Sequence, residues 1–395
     1  MEIDWQALGE RLRAARERTG RSQRELEELS GIPQSTLHRV ERGTKTRLDL
    51  SAVDALAQAL GVRLDHLMYG SPVRGRVLVA ARAESAGAGE ASEVYDRAVE
   101  LLELDEILDE LVGSDLRQQV RTLDIAVPRT GTRAKRGAAL AAAVRQHLQA
   151  GVAPIVDLAV VMQDLTGVDV GTAPLGSVSG ACVRDPARDT SIVLVNSAHV
   201  PERQRFTHAH ELGHLLWGDG SHVDETDGRR TPEEQRCDEF ARHFLIPIEG
   251  VEAWMARHHA PGTGDAVPER TVASLARYFQ VSATVAAIQL QKLGFDAELV
   301  KGRSGRGLAY KYGWGPQYVQ DLDQVSRPRA PQRLQERATI AYQRGLLGIG
   351  ALARLEGRSE AEVAAALSEV VPSSRREGSL DEELAALLAV SDPDR

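Results

Sequence analysis

The stretch RFTHAHELGHLLW, residues 205–217, contains His210, Glu211 and His214 in the pattern His-Glu-x-x-His. Residues four apart lie one above the other on an α-helix, so both imidazoles can reach one metal ion. Glu211 lies about 100° around the helix from His210, beside the open coordination position, where it can deprotonate a metal-bound water. Two neutral imidazoles, a carboxylate and an open position suit zinc, and we expect one Zn²⁺ per chain.

A third ligand has to come from another part of the chain. The longer metzincin pattern needs a glycine and a histidine where this sequence has Trp217 and Gly220. Downstream, a second predicted helix begins with two adjacent glutamates, and the sequence predicts Glu234 as the ligand with Glu233 as its main rival. Asp238, one helical turn further on, is predicted to accept a hydrogen bond from a ligand histidine.

The sequence before the His-Glu-x-x-His segment predicts a small β-sheet. Residues 168–195 contain Val-Asp-Val, Ala-Cys-Val and Ile-Val-Leu-Val segments separated by Gly, Pro and Asp. Short apolar, β-branched runs bounded by such residues are typical of strands. Helices are expected over 137–149 and 154–166 before the strands, and again for most of the chain from residue 201.

The whole passage IVLVNSAHVPERQRFTHAHELGHLLWGD, residues 192–219, followed by EEQRCDEFARHFLIP, residues 233–247, resembles the ImmA/IrrE family of metallopeptidases. The resemblance covers about residues 150–295. It implies a gluzincin-like site with a glutamate ligand on the second helix, a short sheet before the first helix, bacterial origin, and cleavage of a repressor-type protein. His208 departs from the family pattern, where an apolar residue is usual, and so does Cys237-Asp238, where Ala-Asn is common.

The N-terminal region predicts a compact set of short helices. Ser22 and Glu25 form a capping box at the start of a second helix, Gly31 makes the turn, and a third helix ends near Gly43. Two helices joined by a short glycine-containing turn are the DNA-binding helix-turn-helix arrangement.

Polar residues on this third helix are placed to contact DNA. Those free to face a major groove are Gln34, Ser35 and Arg39. Glutamine pairs with adenine and arginine with guanine. Gln23 is placed to contact a phosphate, and Lys45 and Arg47 to hold the DNA backbone.

The segments SQRELEELSGIPQSTLHRVERG, residues 22–43, and LSAVDALAQALGVRLDHLMYG, residues 50–70, resemble the Cro/C1 repressor (XRE) helix-turn-helix family. Pro33 is a departure, because a small polar cap is usual there. The resemblance implies binding to double-stranded DNA at a palindromic operator, and we expect a homodimer because such factors read symmetric half-sites.

Composition excludes several classes of protein. A chain of 395 residues suits two or three domains, and a net charge of −9 excludes binding of polyanions over the whole surface. Two cysteines, Cys182 and Cys237, cannot form a disulfide framework or a four-cysteine zinc site. No apolar run approaches about 18 residues and the N-terminus is acidic, so we expect no membrane span, no secretion and a cytoplasmic location.

These patterns together predict a mainly α chain with a small α+β domain. The predicted parts are a five-helix DNA-binding head (1–70), a Gly-, Ala- and Ser-rich linker (71–92), a helical connector (93–149), a metallopeptidase domain (150–300) and a helical C-terminal region (301–395). The Gly-, Arg- and Pro-rich stretch 302–330 is expected to separate the last two. Residues 269–293 imitate a second helix-turn-helix but are expected to complete the metallopeptidase core.

Three functional hypotheses remain. The first is a transcriptional regulator whose zinc-dependent endopeptidase domain cleaves a repressor-type protein or its own linker. The second is a non-catalytic transcription factor whose metallopeptidase-like domain senses a ligand, metal or partner. The third makes the helix-turn-helix a docking device for other repressors. His222 and His243 are candidates for stabilising a reaction intermediate, although their spacing does not assign that role.

Overall fold

The computed structural model divides into two compact units, Met1–Leu334 and Gln335–Arg395. It describes residues 4–18, 21–45, 47–60, 62–70, 73–77, 91–113, 125–225, 231–258, 266–297, 300 and 302–370. Most of the predicted linker and the last part of the predicted C-terminal region lie outside the described residues. The predicted fold class, mainly α with a small α+β domain, is confirmed. Among the described residues, no helix combines the length and apolar character needed to cross a membrane.

The N-terminal head consists of five helices, as predicted. They are α1 (Trp5–Arg18), α2 (Gln23–Ser30), α3 (Gln34–Glu41), α4 (Leu50–Leu60) and α5 (Leu64–Tyr69). The capping box between Ser22 and Glu25 is confirmed, and Gly31 ends α2 in the left-handed region at φ 70°. Pro33 precedes α3 without a side-chain cap. Local signals therefore set the helix–turn–helix geometry.

Two close contacts hold α1, α2 and α3 together. A Cβ atom on Gly9 of α1 would lie 2.0 Å from the carbonyl oxygen of Val40, so only glycine lets the two helices approach this closely. Glu41 at the end of α3 pairs with Arg16 at 2.6 Å and accepts a hydrogen bond from Gln23 at 2.8 Å. The Glu41 side chain is almost fully buried, so both partners compensate for its lost hydration.

The segment after the head contacts the small β-sheet of the middle of the chain, which is described below. Residues 73–77, inside the predicted linker, are helical, and Val73 and Val77 are buried. Arg76 lies 2.7 Å from the buried carboxylate of Asp185. A long helix follows, α6 (Ala91–Val112), where the sequence predicts one.

The middle of the chain folds as helices around one small sheet. Its elements are α7 (Arg133–His147), α8 (Leu158–Thr166), β1 (Asp169–Ala173), β2 (Val178–Asp185), β3 (Thr190–Asn196), α9 (Pro201–Trp217), β4 (His222–Glu225), α10 (Pro232–Leu245), α11 (Ile248–Arg257), α12 (Glu269–Phe279) and α13 (Ala283–Lys292). The strand order is β1-β3-β2-β4, with β1 parallel to β3 and the other pairs antiparallel. The first three strands confirm the prediction. The fourth strand, β4, has only four residues and no apolar run, so the sequence did not predict it.

Both faces of the sheet are covered by helices. Val193 and Val195 on β3 join the core formed with Leu212 of α9. Ile192 and Leu194 are equally buried and point to the other face, because side chains alternate along a strand. The helix α6 contacts β2, β3 and β4. α9 itself contacts β2 and β3.

The stretch 302–330 differs from the expectation of a separating segment. It forms two helices, α14 (Gly305–Tyr312) and α15 (Gly315–Ser326), and belongs to the first compact unit. Tyr318 donates a hydrogen bond to Glu202, and Gln204 donates one to the carbonyl of Val325, so α15 is held against α9. Ser304 caps α14 and Gly313 ends it at φ 93°, and these local signals make helices from a Gly-rich sequence.

Three further helices follow. They are α16 (Gln332–Gln343), α17 (Ile349–Glu356) and α18 (Glu360–Val370). All three lie in the region predicted to be a helical C-terminal part, 301–395. In the second unit, Gln335 donates a hydrogen bond to Glu356 and joins α16 to α17. The predicted domain boundaries themselves stay a prediction.

Candidate functional site

The His-Glu-x-x-His segment forms part of α9 and is buried. His210, Glu211 and His214 are each no more than 5% exposed. Gly213 lies between them, and a Cβ atom there would be only 3.3 Å from both Cβ and Sγ of Cys237 on α10. A glycine at this position therefore lets α10 approach the face of α9 that carries the two imidazoles.

Three electron-pair donors from α9 and α10 converge beside this contact. Nε2 of His210 and Nε2 of His214 are 3.1 Å apart. One carboxylate oxygen of Glu234 lies 3.2 Å from the first nitrogen, and its other oxygen lies 3.3 Å from the second. Ligands bound tetrahedrally with bonds of about 2.0–2.1 Å are separated by about 3.3 Å. The distances between the three donor groups therefore match the ligand–ligand distances of a tetrahedral metal site.

The outer nitrogens of both imidazoles contact carboxylates. Nδ1 of His210 is 3.1 Å from Asp238, and Nδ1 of His214 is 2.8 Å from Asp219. When a neutral imidazole donates a hydrogen bond from Nδ1, its Nε2 carries a lone pair that points away from the accepting carboxylate. Two such lone pairs meeting at 3.1 Å repel each other unless a cation lies between them. The residues present therefore fit a metal ion.

The glutamate next to Glu234 lies in a different environment. Glu233 is exposed, whereas Glu234 is partly buried against the imidazoles. Burial raises the pKa of Glu234, but when the two imidazoles are protonated on Nε2 their hydrogen bonds to this carboxylate outweigh burial and hold its pKa far below its usual range. Thr231 caps α10 and accepts a hydrogen bond from the backbone of Glu234, which helps to fix its direction.

Asp219 also belongs to this site, although it was not predicted from the sequence. It follows Gly218, which ends α9 in the left-handed region at φ 72° and turns the chain back toward the helix. The second carboxylate oxygen of Asp219 binds Arg236 of α10. The only signal in the sequence was a glycine C-cap followed by an acid, which is too common to indicate a role.

The structure also places His222 beside Glu211. Nε2 of His222, at the start of β4, is 2.8 Å from a carboxylate oxygen of the fully buried Glu211. Its Nδ1 lies 2.9 Å from the carbonyl of Gly220 and donates to it, so one more proton has to lie between the imidazole and the carboxylate. His243, the other candidate, instead lies 3.2 Å from the Lys292 amine.

Most of the predicted DNA contacts are available on the head surface. The exposed ones are Gln34, Ser35, Arg39 and Arg47. Lys45 is half-buried, and the Gln23 amide is engaged by Glu41. One N–H of that amide remains for a phosphate, because a glutamine side chain carries two.

The fold and the site define a chain in which a helix-turn-helix head is joined to an α+β domain with a metallopeptidase-type donor set. Residues 7–68 match the family model described as a helix-turn-helix domain. Residues 163–291 match the IrrE N-terminal-like domain. The resemblances identified from both sequence regions are thereby confirmed.

Two relatives align with about a third of the chain. The radiation response metalloprotease IrrE of Deinococcus radiodurans is 40% identical over 136 residues, which cover 33% of this chain and 38% of the relative. The protein of that name from Deinococcus deserti is 37% identical over 136 residues, which cover 33% of this chain and 44% of the relative. The chain thus spans less than half the length of these relatives.

Proposed function

We propose that this protein is a transcriptional regulator that binds double-stranded DNA through its head and cleaves a repressor-type protein with a zinc-dependent endopeptidase domain. The observation that carries the proposal is the convergence of His210, His214 and Glu234 within 3.1–3.3 Å, with Glu211 buried on the same helix. The matched IrrE N-terminal-like domain supports the choice of reaction. The repressor substrate rests on the family resemblance.

The chemistry follows from the donor set and the buried glutamate. His210, His214 and Glu234 would hold zinc, which when bound would supply a Lewis acid for a scissile carbonyl and lower the pKa of a water molecule to about 7. Glu211 takes the proton from the attacking water and passes it to the departing amine. His222 orients the Glu211 carboxylate through their 2.8 Å contact. Asp238 and Asp219 fix the two imidazole rings.

One experiment tests this proposal against a non-catalytic sensor. We expect the purified full-length chain to contain about one zinc ion and to cleave a co-encoded repressor, with loss of cleavage on addition of a chelator. Zinc content is measured by elemental analysis and cleavage by mass spectrometry. A chain that retains zinc but cleaves neither the repressor nor a diverse peptide library contradicts the endopeptidase assignment.

Asp219 provides a prediction that the sequence alone did not suggest. We expect Asp219→Ala to weaken zinc binding about 10–100-fold, because the His214 ring loses the carboxylate that fixes it. Competition with a chromophoric chelator measures the affinity. Asp164→Ala, an exposed acid on α8, is the control and should leave affinity unchanged. Equal affinities in both variants contradict the role given to Asp219.

The head can be tested separately. We expect Arg39→Ala to cost about 1–3 kcal/mol of operator affinity and to relax base preference at one position, because it removes a base contact. Gln23→Ala should weaken binding to all DNA sequences alike, since phosphate contacts carry no sequence information. Selection from a random DNA library, followed by titration at fixed salt, measures both. An unchanged affinity and preference in Arg39→Ala means that α3 does not read the bases.

A further inference from the structure

A cavity of about 480 Å³ lies beside the first turns of α9, and its lining includes neither the three metal-site donors nor Glu211. Its walls come from α8, α9, α12, α14 and α15, including the helices formed by the Gly-rich stretch 302–330. Cavities of about 300–1,000 Å³ are the usual size for sites that bind small organic molecules. Apolar side chains such as Leu158, Leu308 and Val325 form part of the wall.

His208 contributes an unused hydrogen-bond acceptor to this cavity. The residue is only 7% exposed and lines the cavity, about 200° around α9 from His210. Its Nδ1 donates to the carbonyl of Gln204 at 2.7 Å. A buried neutral imidazole carries one ring proton, so Nε2 is an acceptor, and it has no partner among the residues that the structure describes. A molecule in the cavity therefore meets a site for an N–H or O–H donor.

Three arginines line the same cavity: Arg205, which interacts electrostatically with Asp157, and Arg277 and Arg329, which have no carboxylate partner in the described ranges. Arg205 is held by backbone carbonyls, among them those of Val156 at 2.7 Å and Gln280 at 3.2 Å. The guanidinium of Arg277 lies over the Trp314 ring at 5.0 Å, and Arg329 is exposed. The positive charges of Arg277 and Arg329 therefore lie at the opening.

Two of the acids on the cavity wall are already engaged. Asp157 caps α8 by accepting a hydrogen bond from the backbone of Val160 at 3.1 Å. Glu202 accepts hydrogen bonds from the Tyr318 hydroxyl at 3.2 Å. A third acid, Asp321, is exposed at the rim. Three acids and three arginines line the cavity, but at its opening the two exposed arginines outnumber the single exposed acid, Asp321.

We propose that this cavity binds a small organic anion that also carries an N–H or O–H donor. Nε2 of His208 accepts from the donor, the apolar wall covers the body of the molecule, and Arg277 and Arg329 bind its acidic group. A carboxylate and a phosphate monoester both satisfy this chemistry. Binding requires neither catalysis nor DNA, so the proposal is independent of the function proposed above.

Isothermal titration of the zinc-loaded full-length chain tests the proposal with two probes. Indoleacetate is a carboxylate and adenosine monophosphate is a phosphate, and both carry an N–H donor. We expect one of them to bind at one per chain and more tightly than acetate, which lacks the apolar body and the donor. His208→Leu and Arg277→Gln should each weaken binding about 10-fold, the loss of one hydrogen bond or one charge contact. The probe that binds identifies the acidic group.

Arg270→Gln is the matched control. It removes an exposed arginine from α12, the helix that carries Arg277, but outside the cavity lining. Its affinity for the probe should equal that of the parent. Arg277→Gln changes an exposed side chain and tests the site even if His208→Leu does not fold. The proposal is wrong if neither probe binds more tightly than acetate, or if both variants bind the probe as the parent does.

Discussion

Replacement of Glu211 by glutamine is expected to lower the rate of peptide hydrolysis at least about 100-fold while zinc stays bound. The amide has nearly the same shape as the carboxylate but cannot accept the proton of the attacking water. Glu211 is fully buried and contacts His222 at 2.8 Å, so bulk water does not easily replace it as the base. Initial rates on a confirmed substrate, with zinc content measured in the same samples, give the comparison.

Glu252→Gln is the control for this change, because Glu252 is an exposed glutamate on α11 away from the donor set. It should cleave at the parent rate. Cleavage by Glu211→Gln at the parent rate would remove Glu211 from the mechanism. A variant that loses zinc as well as activity would show instead that Glu211 supports the metal centre.

Loss of the Glu234 carboxylate is expected to have the largest effect on metal binding. Residues that only orient a ligand usually contribute 10–100-fold to metal affinity. Glu234→Ala removes a direct ligand, so we expect it to lower the zinc affinity by more than about 100-fold. His214→Ala should lose most of the metal for the same reason. Elemental analysis after dialysis and chelator competition both measure this loss.

The adjacent Glu233→Ala is the matched control, because it removes the same chemical group from an exposed position one residue away. It should keep its zinc. Full occupancy in Glu234→Ala together with loss in Glu233→Ala would show that the other glutamate is the ligand. That result would also require α10 to be rotated by about 100° about its axis, the angle between adjacent helix residues.

The sequence predicted what depends on neighbours along the chain. The capping box at Ser22 and Glu25 and the left-handed Gly31 fixed the helix-turn-helix, because each acts within one helical turn. The i, i+4 spacing of His210 and His214 placed both imidazoles on one face of α9 for the same reason. The first three strands followed from short β-branched runs between turn residues.

What the sequence left open depended on how distant segments meet. Whether Glu233 or Glu234 faces the imidazoles depends on how α10 is rotated about its axis, and α10 packs closely against α9 at Gly213. Asp219 and His222 approach the centre only because the chain turns back after Gly218 and a fourth strand pairs with β2.

The tertiary structure alone decided which structure the stretch 302–330 forms and that a cavity lies beside the first turns of α9. Glycine and proline in a sequence indicate turns, yet Ser304 and Gly313 cap a helix there, and contacts to Glu202 and Gln204 hold the next helix in place. His208 is separated from the helices of that stretch by about a hundred residues of sequence. A cavity between such segments has no local signal, because the groups that line it become neighbours only when the helices pack.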